Sequence, residues 1–519
     1  MNTAEQQLVK GDKNMSKCPY AKKCSGCQLQ NLTYDEQLKM KQVKLINLLG
    51  KYGHVSEIIG MNDPGNYRNK LQRAFAYNRG RLISGIYQSA SYRIAEVDEC
   101  MLEDKISSKI VDTVRALCPS FKIKAYDLNT GSGFLRHILV RRGFVSGEIM
   151  VVLVTARGEF KSRRSFVNEL LRRHPEITTL VWNINTTNTP LMLGERSEIL
   201  YGDGYITDTL CGLSFRISPR SFYQINHTQT EVLYSLAKKY ADLDGSERVI
   251  DAYCGTGTIG LTMADKAREL IGVEVNGEAV RDAKDNAERN GIKNASFYEA
   301  DAGDFMSELA KKGEDVDVVI TDPPRAGCSM RFLRSLISLS PKKIVYISCD
   351  PETLARDLNT LTKNGYTVKK IQGVDMFPFT RHVESVVCLS RETTHEMKLH
   401  ASPFEMIKSG QKTIELRLYD EKRQQIKEGD TIIFTNTVNG EKMSRKVKKL
   451  HRFDSFEELY KSLPLLQCGY TVDDVDNAKP SDMDQYYSVE KQDKYGVVGI
   501  ELFPPKRITD ETIVCLRKQ

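Results

Sequence analysis

Between residues 248 and 389, short apolar runs recur at a spacing that leaves room for a helix between one run and the next. The runs lie near 248 to 251, 270 to 273, 296 to 299, 316 to 320, 343 to 347, 366 to 371 and 384 to 389, with helical stretches such as 277 to 289 and 352 to 362 between them. This alternation predicts an α/β fold with a doubly wound parallel sheet. Upstream, apolar residues near helical period over 34 to 49 predict a helix. Runs around 138 to 140, 149 to 154 and 180 to 184 read as strands of a β-rich domain, 165 to 173 as its helix, and 228 to 240 as the helix that leads into the α/β stretch. From residue 396 the alternation stops and the chain turns strongly polar, so a separate module begins there. Residues 1–15 are polar and aperiodic, and a disordered tail is expected. The expected divisions are therefore 1–15, a cysteine-bearing basic region 16–110, a β-rich domain 111–235, the α/β domain 236–392 and the terminal module 396–519.

A chain of 519 residues agrees with several domains. Its 75 Lys and Arg exceed its 68 Asp and Glu by +7, which permits a nucleic-acid partner without demanding one. The distribution says more. Residues 66 to 95 carry Arg68, Lys70, Arg73, Arg79, Arg81 and Arg93 with no acidic residue, interleaved with Tyr67, Phe75, Tyr77, Tyr87 and Tyr92. Cations neutralise phosphates and aromatic faces stack on unpaired bases, so the mixture suits looped or single-stranded RNA, as does a second basic group at Arg136, His137, Arg141 and Arg142. No long apolar run and no apolar leader at Met1 are found, so a cytoplasmic protein is expected, with its twelve cysteines reduced and available for ligation or catalysis. Cys18, Cys24 and Cys27 lie on one glycine-containing loop and Cys100 far downstream, a set that suits an iron–sulfur cluster or zinc; spacing does not separate the two.

The chemistry concentrates at the ends of the α/β strands. Asp251-Ala-Tyr-Cys-Gly-Thr-Gly-Thr258 breaks a strand into a glycine turn and a helix, and Glu274, ending the second strand, is placed to grip both hydroxyls of a ribose. Asp301 and Asp322 end later strands. A dinucleotide site is the competing reading of this glycine turn, whereas S-adenosylmethionine has no pyrophosphate to seat on the helix terminus, and the acidic residues on successive strand ends favour it. Asp322-Pro-Pro-Arg325 resembles the signature of amine methyltransferases but has Arg where their base-stacking aromatic stands. Cys349 on the next strand points to different chemistry. A thiolate adding to carbon 6 of a pyrimidine makes carbon 5 nucleophilic, and Glu384 is the carboxylate available to remove the carbon-5 proton afterwards.

At these residues the chain resembles the RNA uracil-5 methyltransferases that act on 23S ribosomal RNA or transfer RNA. The resemblance spans about residues 16 to 391 and is carried by the cysteine pattern, Tyr67-Arg-Asn-Lys70, Phe222-Tyr-Gln224, Asp251 to Thr258, Asp322 to Arg325, Ser348-Cys-Asp-Pro351 and His382-Val-Glu384. It implies a 4Fe-4S cluster on Cys18, Cys24, Cys27 and Cys100; S-adenosylmethionine contacts from Gln224, Tyr253, Thr258, Glu274, Asp301 and Asp322; Cys349 as nucleophile; and Glu384 as base. Asp350 departs from the asparagine often found after the nucleophile, and no small β-barrel precedes Cys18. The implied substrate is 23S ribosomal RNA, with transfer RNA as the alternative; a non-catalytic RNA-binding protein would have no need of Cys349 and Glu384 together. Arg68, Lys70, Arg73, Arg136 and Arg142 are the expected RNA contacts, and a monomer without DNA or membrane partners is expected. In the terminal module, Gly410-Gln-Lys-Thr-Ile-Glu-Leu-Arg417 resembles the ASCH domain, a small β-barrel related to the PUA fold. If Lys412, Glu415 and Arg417 share one strand, Lys412 faces away from the other two.

Overall fold

The computed structural model describes residues 18–88, 91, 93–187, 192–391 and 394–505; the expected tail and Tyr92 lie outside them. The chain forms two compact units, Met1–Arg391 and Glu392–Gln519. Among the described residues no helix is long and apolar enough to cross a membrane.

The first unit is built on an eight-stranded sheet in the spatial order Val55–Ile59, Tyr366–Val374, Glu384–Arg391, Lys343–Ser348, Val318–Thr321, Arg248–Ala252, Glu269–Glu274 and Ala295–Glu299. Successive residues of a strand serve opposite layers. Val249, Val318, Val345 and Val386 enter one apolar core with the helix His227–Ala241, while Ile250, Val319, Ile344 and Val387 enter the other with Phe332, Leu354 and Leu358. The expected all-parallel sheet needs two corrections. The strand Glu384–Arg391 runs antiparallel to both neighbours, because segment 375–383 is shorter than the dozen or more residues of a parallel crossover. The edge is completed by Val55–Ile59, a strand from the amino-terminal region that pairs parallel with Tyr366–Val374.

That amino-terminal strand is delivered by the helix Tyr34–Leu49. Thr33 and Glu36 cap its start reciprocally, the Thr33 N–H donating to Glu36 Oε2 (2.8 Å) and the Glu36 N–H to Thr33 Oγ1 (3.3 Å). Its Leu45 and Leu49 are fully buried in the second core, a contribution on the order of 2 kcal/mol each.

This unit also holds a seven-stranded sheet, Ile94–Glu96, Arg81–Tyr87, Lys70–Asn78, Leu135–Arg142, Ile149–Thr155, Ile177–Ile184 and Arg196–Tyr201, and a two-stranded hairpin, Ile206–Leu210 with Leu213–Ile217. The expected boundary near residue 110 runs through it, since Lys70–Asn78 pairs directly with Leu135–Arg142. Helices Lys105–Ser120 and Arg163–Arg173 cover one face, and Leu139, Val152 and Val154 on the other share the first core of the α/β layer.

The second unit is a five-stranded sheet, Thr394–Leu399, Thr431–Asn436, Lys442–Phe453, Val497–Leu502 and Ile414–Leu418. The long strand Lys442–Phe453 pairs first with Thr431–Asn436 and, past an irregularity at Val447/Lys449, with Val497–Leu502, so the sheet curls into a half-barrel.

Candidate active site

The strand Arg248–Ala252 ends in a turn whose conformation explains its residues. Tyr253, Gly255 and Gly257 all have positive φ (64°, 55° and 80°), and a Cβ on Gly257 would stand 3.1 Å from the Phe297 ring. Gly260 leaves room for the Asp251 carboxylate, which accepts its N–H at Oδ2 (2.8 Å), while the buried Oδ1 has no partner. Glu274 accepts the N–H of Gly255 at Oε2 (3.2 Å) and that of Asn276 at Oε1 (3.0 Å), which ties the second strand end to the turn. Thr258 is held by the Tyr234 hydroxyl (3.0 Å), and the Tyr253 ring lies against Phe332 with centroids 5.1 Å apart.

Acidic groups gather here, with Arg325 the cation that bears on Glu384. Burial, with Asp322 and Glu274 adding to it, pushes the Asp251 carboxyl up to about 7. Burial pushes Asp322 to about 7 and Glu384 to about 8, the latter raised further by Asp322 and eased by Arg325. A half-satisfied buried carboxylate among other acids fits a cationic ligand, and S-adenosylmethionine carries both a sulfonium and an ammonium. The ordinary values are 3.8 and 4.5, so the ligand-free fold binds more protons here than the unfolded chain. These groups therefore contribute stability below about pH 4, lost as pH rises through 7 to 8. A cation that favours the ionised forms must expel protons, so cofactor affinity is expected to increase from pH 6 to pH 8. Calorimetric titrations in buffers of different ionisation heat should register proton release; proton uptake would contradict this assignment.

Gln224 and Asp301 are less closely engaged. Gln224 sits before the helix His227–Ala241, with its carbonyl accepting from Asn69 Nδ2 (3.2 Å). Asp301 caps the helix Ala302–Lys312, accepting the Asp304 N–H (3.0 Å), and bears on Tyr253 through charge alone. Among the described residues these bonds of Gln224 and Asp301 do not reach the acidic group.

Cys349 follows the strand Lys343–Ser348, and the antiparallel pairing of Ser348 with Ser385 sets it beside Glu384. Burial first, then Glu384 and Asp322, push its thiol up to about 11, against the pull of Arg325. Asp350, the departure after the nucleophile, caps the helix Pro351–Lys363 by accepting the Glu352 N–H (2.9 Å).

Arg325 was legible only as the loss of an aromatic platform; the structure makes it the cation that acts on both Cys349 and Glu384. Its Nη2 lies 3.1 Å from His382 Nε2, and burial together with Arg325 keeps that imidazole below its usual range, hence neutral and able to accept. The turn that carries Arg325 is fixed from behind. Thr353 Oγ1 donates to the Arg325 carbonyl (3.2 Å), Arg356 to the carbonyls of Ala326 and Cys328 (both 3.0 Å), and the Cys328 N–H and Tyr346 hydroxyl both donate to the buried Asp357 Oδ2 (2.8 and 2.7 Å). Nothing in the apolar run around Tyr346 announces this hydroxyl.

The basic groups divide. Arg73 is 1 % exposed and paired with Glu103 (2.5 Å), so it faces the interior and not a phosphate. Arg136 is likewise buried, donating to the carbonyls of Asn185 (2.9 Å) and Thr187 (2.6 Å) and lying over the Tyr126 ring, and Arg142 is paired with Asp104 (2.7 Å). Arg73 and Arg136 lie on the strands Lys70–Asn78 and Leu135–Arg142 and turn their guanidinium groups into the interior. Lys70 is different: burial first, then the neighbouring Arg141 and Arg68, push its ammonium down to about 8. Of the aromatics, Tyr67 and Phe75 are core residues, Tyr87 bonds His137 (3.3 Å), and Tyr77 is exposed.

Cys18, Cys24, Cys27 and Cys100 are all partly buried thiols. Burial raises Cys27, with Cys24 and Cys18 adding to it, and raises Cys100 to about 11, with Glu103 and Cys27 adding. Mutual thiol repulsion fits a thiolate set that shares a cationic centre, although among the described residues no three such side chains stand in metal-ligating array.

In the second unit the strand begins at Ile414, so Lys412 lies before it and escapes the alternation. Lys412 Nζ and Arg417 Nη2 each approach a different oxygen of Glu415 at 2.9 Å. Glu415 is buried rather than part of a surface ladder; burial raises its carboxyl, but the two cations outweigh that and hold it below the usual range.

Residues 194–392 match the family model described as tRNA (Uracil-5-)-methyltransferase, and residues 397–506 match the ASCH domain. The chain is 42% identical over 383 residues to an uncharacterised RNA methyltransferase of Halalkalibacterium halodurans, covering 73% of this chain and 84% of that protein. It is 43% identical over 373 residues to one from Oceanobacillus iheyensis, covering 71% and 81% respectively. Among solved structures it is similar to the tRNA (uracil-54, C5)-methyltransferase of Pyrococcus abyssi in complex with S-adenosyl-L-homocysteine, at 30% identity and a TM-score of 0.59, covering 70% of this chain and 86% of that one.

Proposed function

The chain belongs to the RNA (uracil-5-)-methyltransferase family and is S-adenosylmethionine-dependent, and from that premise we propose that it methylates carbon 5 of an unpaired uridine in 23S ribosomal RNA through a covalent bond from Cys349. The observation that carries the reading is the pairing of Ser348 with Ser385, which stands a thiol and a carboxyl side by side at neighbouring strand ends under the shared influence of Arg325. Transfer RNA is the second reading, favoured by what the Pyrococcus enzyme acts on.

Arg325 stabilises the Cys349 thiolate. The thiolate forms a bond to carbon 6, and the ring electrons move onto carbon 5 and the carbonyl oxygen, making carbon 5 a nucleophile. Bound S-adenosylmethionine supplies the methyl group as an electrophile. Glu384 takes the carbon-5 proton, the ring double bond re-forms, and the sulfur–carbon bond breaks to return the thiolate. A carboxyl held near 8 suits this task, since a base works best with its pKa near the operating pH. A stacked uracil exposes neither face, so the base must be unstacked, which costs least in a loop.

The test is release of tritium from carbon-5-labelled RNA during turnover, with large-subunit RNA fragments and transfer RNA as rival substrates. Release from neither would refute the proposal, and release from transfer RNA alone would select the second reading. For the RNA path we retain Arg68 and Lys70, whose crowding at the strand start fits a backbone phosphate. Replacing both by alanine should weaken RNA binding and flatten its dependence on salt, by about one unit of log–log slope per lost contact; an unchanged slope would remove them from the path. The four cysteines are read as the ligands of a 4Fe-4S cluster, to be checked by iron and sulfide analysis of anaerobically prepared protein, with stoichiometric zinc as the opposing result.

A further inference from the structure

Segment 375–383 carries the chain from Tyr366–Val374 into the strand that Glu384 begins; Thr380 closes a turn on the Phe377 carbonyl (N–H 3.2 Å, Oγ1 2.8 Å) and accepts the His382 N–H (3.3 Å), and most of its other backbone bonds come from outside it. Buried Lys41 donates to Asp375 Oδ1 (2.6 Å) and to the Phe377 carbonyl (3.2 Å). Asn226 Nδ2 donates to the Met376 carbonyl (2.9 Å), and the Tyr67 hydroxyl to that of Pro378 (3.2 Å). The ties are densest at Phe379. Its N–H donates to Gln37 Oε1 (2.8 Å), and its carbonyl accepts the N–H groups of both Gln28 (3.1 Å) and Leu29 (3.0 Å). Gln28 Oε1 then accepts the Arg381 N–H (3.4 Å).

Phe379 has φ 67°, a left-handed conformation that a bulky residue keeps only when its surroundings over-determine it. Those surroundings are the three backbone ties and a ring buried with Tyr67 and Leu102, against which Cys27 and Cys100 pack. Cys27 immediately precedes the two amides that hold the Phe379 carbonyl. The cysteine-bearing loop and the turn before Glu384 are therefore one mechanical piece.

We infer that segment 27–29 together with Gln37 is a positioning strap: it fixes the Phe379 turn, and through that turn it sets where His382 and Glu384 stand. The strap itself rests on hydrogen bonds and packing; only its catalytic consequence rests on the reading of Glu384 as the proton acceptor. Loosening the cysteine loop should accordingly slow product release without touching the sheet or the glycine turn.

Amide hydrogen exchange on the full-length chain reads the strap directly, in Gln37→Ala, Gln28→Ala and Cys27→Ser beside the wild type. Peptides covering 375–383 should exchange about tenfold faster in Gln37→Ala, the loss of about one hydrogen bond, and faster also in Cys27→Ser, with peptides from Lys343–Ser348 and Arg248–Ala252 unchanged. Gln28 is exposed, so its alanine variant folds even if the others do not, and it should accelerate exchange around Arg381. Wild-type exchange across 375–383 in both Gln28→Ala and Cys27→Ser would overturn the strap. In the same variants kcat should fall with KM for RNA unchanged and methylated RNA held on the protein. Faster exchange with normal release would overturn the positioning role, since the turn would then not set where Glu384 stands.

Discussion

Cys349→Ala is expected to lose methyl transfer by roughly four orders of magnitude, the scale on which a covalent nucleophile matters. Affinity for S-adenosylmethionine should stay near the wild-type value, because Asp251, Glu274 and Thr258, the residues proposed to face the cofactor, are tied to their own turn and to Tyr234 rather than to Cys349. RNA containing 5-fluorouracil discriminates further. Fluorine at carbon 5 cannot leave as a proton, so the wild type should accumulate a protein–RNA adduct that survives denaturation and the alanine variant none. Full turnover by Cys349→Ala would end the covalent mechanism, whereas a variant that loses turnover together with cofactor binding would point to a collapsed site.

Glu384→Gln should separate the two halves of the reaction. Methyl transfer precedes proton removal, so methylated RNA is expected to remain attached to Cys349, and release should fall by about 10²- to 10⁴-fold, the span of general-base catalysis. The pH profile supplies the sign. Only the ionised carboxylate accepts a proton, and burial places Glu384 at about 8 before the cationic cofactor lowers it, so wild-type release should climb with pH and level off at or below 8. The glutamine variant should lack that limb. Release at the normal rate with an unchanged profile would assign the proton to another acceptor.

Much of this arrangement is local and therefore visible in the chain. The helix Tyr34–Leu49 is announced by Thr33 and Glu36 at capping distance, and the helix Gly277–Arg289 by its period alone. Strand ends carrying Glu274, Asp322 and Cys349 stand out because charged or reactive residues interrupt apolar runs. What failed was long-range. Arg73 counted as a surface cation because its partner Glu103 lies thirty residues on, a pairing no window reveals. Val55–Ile59 gives no sign that its neighbour is Tyr366–Val374, more than three hundred residues away, nor does Tyr346 that its hydroxyl meets Asp357. Arg325 was misjudged for a related reason: its identity was compared with an aromatic, while its effect is electrostatic and depends on groups from two other strands.

The antiparallel strand Glu384–Arg391 also bears on how such an enzyme can diverge. The main-chain register that sets Cys349 beside Glu384 is written in a ladder of pairs from Ser348–Ser385 to Lys343–Ser390. Insertions within 375–383 would leave that ladder paired but would pull the Phe379 turn from its ties to Gln28, Leu29 and Gln37, and with it the placement of the Glu384 side chain. A single residue inserted into the strand itself would turn Glu384 to the opposite face of the sheet. The two strands that frame the chemistry therefore tolerate replacement of side chains but no change in length, and the connection before Glu384 is confined in turn by the segment that holds it.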